Sequence, residues 1–171
     1  MHRIKQSGGL VLALMFLAGA CLAQDKPDQE PHRFYRLDFL VKELDGGKVL
    51  NSRVYSMQVA TEGGDNSIRT VSKIPFATSP GSWTQIDVGT NIDCSNIREV
   101  QGELSLKISA EVSSVLEDPS NSGRPIIRQN QWRSFVLLKL KKPTVVFSSD
   151  DVSSKRQMQL EVTATPVTPG S

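Results

Sequence analysis

Few side chains in this sequence have the type and spacing that catalysis or metal binding requires, and each carries a plainer reading beside the chemical one. The 171 residues include two histidines and two cysteines, and beyond position 30 only His32 and Cys94 remain. A Ser–His–Asp triad or a histidine-bearing zinc site needs a fixed imidazole with an orienting partner, whereas His32 closes a charged, proline-containing lead-in. Cys94 and His32 would make a thiol dyad, but Cys94 falls on the apolar side of an alternating segment, where a free cysteine packs as a small hydrophobe. Asp118, Ser120, Ser122 and Gly123 copy the opening positions of a calcium loop. Such a loop closes on a bidentate acid at its twelfth position; Gln129 occupies that place, so a turn is expected. Asp87 and Asp93 share one face of a predicted strand roughly 20 Å apart, too far to act as an acid–base pair on one bond. Asp150-Asp151 sits among Ser, Lys and Arg and reads as a solvated turn. No glycine-rich phosphate loop follows a strand. Together these residues offer no nucleophile–base set, no cofactor site and no metal set, which predicts a protein that is not an enzyme.

Binding potential rests on the two tryptophans, Trp83 and Trp132. Trp132 lies between Gln131 and Arg133, and an exposed ring there would make Trp132, Arg133 and Gln131 a surface for a small ligand or a glycan. Tryptophan also fills the cores of β-domains, so both fates are open for Trp132.

The elements that must position these residues are read from periodicity. Leu37, Phe39 and Val41 alternate with Arg36, Asp38 and Lys42 across 33–43, the period of a half-buried strand. Asp45-Gly46-Gly47 then suits the positive backbone angles of a hairpin turn, with a returning strand over 48–60. A strand over 67–74 is expected to end at Pro75, which cannot donate into a ladder, with a loop at 78–82. Ile86, Val88, Thr90, Ile92 and Cys94 alternate with polar residues over 85–94. Leu104, Leu106, Ile108, Ala110 and Val112 do the same over 104–113. These two segments, joined by 95–103, predict antiparallel neighbours with one wet face. Further strands are expected over 125–140, 144–147 and 157–165, with a loop at 117–124. About eight strands without helical periodicity predict an all-β fold, a single antiparallel sandwich-like domain.

The N-terminus has a separate logic. Arg3 and Lys5 precede an apolar run over 10–17, and Ala18-Gly19-Ala20 leads into Cys21-Leu22-Ala23. A basic start, a short apolar segment and small residues are the parts of a secretory signal peptide; the run is shorter than the ~20 residues a transmembrane helix needs. Residues 1–23 are therefore expected to be a leader, 24–32 a loose lead-in, 33–167 the β-domain and 168–171 a tail. Cleavage after Ala23 removes Cys21 and leaves Cys94 without a disulfide partner. The rival fate, lipidation of Cys21, would tether the protein to a membrane. The full chain has 20 Lys+Arg and 18 Asp+Glu. The leader takes Arg3 and Lys5 and no acid, so the remainder is formally neutral. A neutral chain lacks the basic excess that nucleic-acid binding rests on, and clusters such as Arg124/Arg128 or Lys139/Lys141/Lys142 read as solvated strand ends.

From about Trp83 to Val167 the order of elements resembles the C-terminal β-region of secretins, the outer-membrane channels of type II and III secretion and of type IV pili. Ile86-Asp87-Val88-Gly89-Thr90-Asn91-Ile92 is similar to a Val-Gly strand of that family. The segments 104–113, 125–138 and 143–147 resemble the strands that follow it, and 160–167 resembles a last strand ending in Thr-Pro. Ser148-Ser149 stands where the family shows Gly-Gly, and 148 residues leave no room for its periplasmic ring-building domains. The resemblance implies an exported module of the bacterial periplasm or cell envelope that works through a protein partner or through self-association at its sheet edges, without a cofactor. A small-ligand or glycan-binding sandwich is the alternative.

Overall fold

The computed structural model describes residues 32–116, 126–151 and 154–168. The leader with Cys21, most of the lead-in, the calcium-loop mimic at 118–123 and the end of the tail lie outside the described residues.

Alternation at period two is satisfied by eight strands: β1 (Phe34–Asp45), β2 (Lys48–Ala60), β3 (Asn66–Ser79), β4 (Ser82–Val100), β5 (Glu103–Leu116), β6 (Ile126–Lys139), β7 (Thr144–Asp150) and β8 (Arg156–Val167). They form two four-stranded antiparallel sheets, one in the order β2-β1-β8-β7 and the other in the order β3-β4-β5-β6. The fold is the all-β, sandwich-like domain that the alternation predicts. Leu37, Phe39, Leu160 and Val162 from the first sheet and Ile92, Leu104, Leu106, Ile108 and Leu138 from the second lie in one fully buried cluster. Burying each such side chain stabilises by about 1.5–3 kcal/mol. Polar links reinforce the join: the Tyr55 hydroxyl on β2 donates to Thr90 Oγ1 on β4 at 2.9 Å.

Turn chemistry explains where the chain reverses. Gly46 and Gly47 have φ of 55° and 85°, the paired positive angles of a two-residue hairpin turn whose twist matches the strands. Pro80-Gly81 closes β3 onto β4, with Gly81 at φ 80° and proline supplying the preceding residue's fixed angle.

Two expectations over this region are corrected. The β3 strand does not end at Pro75 but runs through it to Ser79, with Pro75 opposite Gln85. An edge strand tolerates this because alternate N–H groups face away from its one neighbour. The join between the β4 and β5 segments, expected over 95–103, is shorter than that. The β4 strand continues to Val100, and only Gln101-Gly102 separates it from β5. A register shift between Ser95 and Arg98, with Asn96 at φ 52°, inserts a bulge. The bulge moves the buried position from Cys94 to Ile97 and so breaks the period-two pattern that would have revealed the strand. The β7 strand, in turn, leaves β6 and pairs with β8 in the opposite sheet.

Candidate functional site

The residues with chemical potential are kept apart by the fold. The exposed His32 has its Nδ1 2.7 Å from the Thr61 carbonyl, while Cys94 is 1 % exposed within the core. Burial raises the Cys94 thiol to about 12, with the neighbouring Asp93 charge adding to the rise. The thiolate needed for nucleophilic attack is therefore scarce at neutral pH. Asp87 is paired with Lys73 at 2.8 Å and Asp93 with Arg69 at 2.5 Å. Asp151 bridges to Arg128 at 3.0 Å, and Asp150 accepts from Gln157 at 2.9 Å. Among the described residues no group of three or more His, Cys, Asp or Glu is placed to hold a metal ion.

Trp132 lies in the core, 9 % exposed, and stacks on Phe147 of the opposite sheet with ring centroids 4.0 Å apart and planes 5° from parallel. Gln131 and Arg133 point to the other face of β6 and are exposed. The three residues named as a candidate binding surface are thus divided between inside and outside, and the aromatic platform a sugar would need is not presented there.

At one end of the sandwich a cleft of about 110 Å³ opens between the sheets, lined in part by Asn51, Arg53, Ser113 and Asn130. It adjoins a second of about 260 Å³ at Arg128, Asp151, Arg156 and Gln157. Two of the arginines are neutralised in place, Arg128 by Asp151 and Arg156 by Glu43 at 3.1 Å. With two of its three arginines paired in this way, the cleft keeps little free charge to offer an ionic ligand.

The chain's capacity for contact lies at its edges. Among the described residues four strands, β2 and β7 in one sheet and β3 and β6 in the other, have a neighbour on one side only, leaving rows of backbone donors and acceptors open to pairing. Exposed apolar side chains gather on them: Val49, Leu50 and Val54 on β2, Val71 on β3, Phe135 and Leu137 on β6, Val145 on β7. Phe135 is 65 % exposed and has the Lys107 ammonium 5.9 Å from its ring centroid. These residues were not distinguishable in the sequence, because Phe135 and Leu137 fall within a continuous apolar run whose inner and outer members alternation alone does not separate.

A second feature is the far end of the β3–β4 hairpin. The ladder between β4 and β5 begins at Thr90, whereas β4 and β3 stay paired out to Ser82 and Ser79. The two pairs of strands part at Gly89, whose N–H donates to Ser113 Oγ at 3.0 Å.

Toward the other end of β4, Glu99 accepts hydrogen bonds from the Tyr35 hydroxyl and from Arg33 Nη1 at 2.6 Å. The Tyr35 and Arg33 hydrogen bonds hold the Glu99 carboxyl below its ordinary 4.5. A carboxylate whose pKa falls on folding contributes stability that is complete above the unfolded value and is lost as pH drops through the folded value. Glu99→Gln should therefore unfold at lower urea than wild type at pH 7, and the gap should narrow as pH falls below 4.5. A gap that is unchanged at pH 3 would contradict this role.

No protein-family sequence pattern matches the chain, and no curated protein matches it in sequence. Among solved structures it is similar to the Salmonella SPI-1 type III secretion injectisome secretin InvG, with a TM-score of 0.53 and 7 % identity over 82 % of this chain and 65 % of that one. It is also similar to the InvG secretin domain β-barrel from the same injectisome (TM-score 0.51, 7 % identity, 82 % of this chain and 63 % of that one). A third is the ETEC pilotin–secretin AspS–GspD complex (TM-score 0.50, 9 % identity, 81 % and 48 %). The chain spans about two-thirds or less of each of these proteins. The resemblance to secretins is thus a likeness of fold that extends over most of the chain.

Proposed function

We propose that this chain is an exported, non-enzymatic module of the bacterial cell envelope that works through protein contacts, by continuing its two sheets into a neighbouring chain. The observation that carries this reading is the direction of the edge strands. Within each sheet every neighbouring pair is antiparallel and there are four strands, so the two edge strands of a sheet run in opposite senses. The contacts between sheets set β2 beside β3 and set β6 beside β7 and β8. A second copy, rotated but not inverted, could therefore lay its β2 and β3 against β7 and β6 and extend both sheets at once as antiparallel ladders. Contacts of this head-to-tail kind generate rings when the rotation closes. The exposed apolar side chains on the same four strands supply area to bury, and the neighbours in fold include a secretin β-barrel and a secretin in complex with a second protein. Export follows from the leader-like first 23 residues, and the neutral remainder of the chain argues against a nucleic-acid partner.

A photo-activated cross-linker placed at Leu137 in living cells tests the reading. The expected product joins β6 of one chain to β3 of another, in the envelope fraction. An adduct to a different envelope protein would keep the protein-contact role and remove the self-pairing one, and no adduct at any position on β6 would remove both.

A further inference from the structure

We infer that the free end of the β3–β4 hairpin is a membrane-contacting arm that settles into the headgroup layer of a net-neutral lipid surface, independently of any pairing at the sheet edges. Among the described residues, 82–88 pair with β3 only, and Gly89 is the last point at which β5 reaches β4, through the Ser113 hydroxyl. From Ile74 to Ile86 there are 13 consecutive residues without a charged side chain. The uncharged stretch stops at a defined line: Lys73 and Asp87 stand directly opposite one another and are paired at 2.8 Å. Arg69 and Asp93 behind them are paired at 2.5 Å. The arm therefore presents no net charge, which complements a zwitterionic surface rather than an anionic one.

The distribution of apolar groups selects lipid over a protein groove. Ile74 lies opposite Ile86, with Phe76 next along the same face, and all three are only half-buried. Trp83, 71 % exposed, lies on the other face opposite Ala77. A groove, or a second copy laid on one face, would cover Ile74, Phe76 and Ile86 and leave the indole in water. A lipid surface entered by the tip covers both faces together. Tryptophan has an apolar body and a polar N–H and concentrates at this boundary. Depth is limited by the backbone: among the described residues the hairpin's outer edges have no ladder partner, and hydrocarbon would not satisfy their N–H and C=O groups, whereas headgroups and their water would.

The test compares wild type with a Trp83→Ser/Phe76→Ser variant on phosphatidylcholine vesicles whose acyl chains carry bromine. Both chains have the same N-terminal residues, so any difference belongs to the arm, and equal urea midpoints would show that the fold is retained. Wild type should float with the vesicles at low and high salt, with its fluorescence shifted to the blue and quenched. Trp132, stacked in the core, supplies a constant background. The variant should partition at least tenfold less. Equal flotation of the two chains would overturn the inference, as would binding that requires anionic lipid and disappears with salt. Self-association in lipid-free solution that depends on Trp83 would overturn it too, by assigning the arm to a second copy. A chain that remains monomeric and still floats would refute edge pairing and leave the arm standing.

Discussion

Gly89→Ala is expected to lower the stability of the domain by at least about 3 kcal/mol, at the upper end of what added volume costs in a packed site. A methyl at this position would overlap the Thr70 carbonyl oxygen and stand 2.8 Å from Val71 Cα, both backbone atoms of the adjacent strand. Rotating a side chain relieves neither contact; β3 itself would have to move. Gly89 is also where the Ser113 hydroxyl reaches across to both the N–H and the carbonyl of β4, so displacing this point also disturbs the only side-chain link between the arm and β5 found among the described residues. A shift in thermal midpoint of roughly 10 °C, read by circular dichroism, is the expected signature. The nearby Gly81→Ala, at a turn with open space around it, is a control for backbone strain without overlap and should cost less.

Trp132→Ala is expected to cost about 3–5 kcal/mol, the range for removing a large buried aromatic. The indole spans the two sheets by stacking on Phe147, so its loss opens a cavity at the join between layers and not merely on one of them. Trp132→Phe should cost much less. The Nε1 donor is buried without a hydrogen-bond partner among the described residues, and phenylalanine removes such an unsatisfied polar group while keeping a ring to stack. Chemical denaturation of the three proteins checks the order. A Trp132→Ala chain as stable as wild type would mean that the ring is not a structural member.

The elements with one wet face were legible in the sequence. Leu37, Phe39 and Val41 in β1, and Leu104 through Val112 in β5, alternate without interruption, and every one of these positions is buried. What could not be read follows from local exceptions to the period. The bulge at Asn96 shifts the phase of β4 by one residue, and Gln101-Gly102 adopts paired positive angles with a residue type that rarely signals them. Pro75 reads as a strand end because its tolerance depends on lying at an edge, which is a property of the sheet and not of the segment. Cys94 is buried, as its place on the apolar side of the alternation predicts. The outward apolar residues were hidden for a related reason: Phe135 and Val136 are chemically alike, and only the phase of β6, which turns Val136 toward the core and Phe135 away from it, exposes one and half-covers the other.

Sedimentation velocity of the purified protein across a concentration series tests the central claim, that two open-edged sheets are built to be continued by another chain. The account predicts a mass that rises with concentration as whole multiples of the chain. It also predicts at least a tenfold weakening in a Phe135→Lys/Leu137→Lys variant, since losing even part of the burial of two such side chains exceeds the roughly 1.4 kcal/mol that a factor of ten requires. A single monomeric species at every concentration, unchanged in the variant, would contradict it.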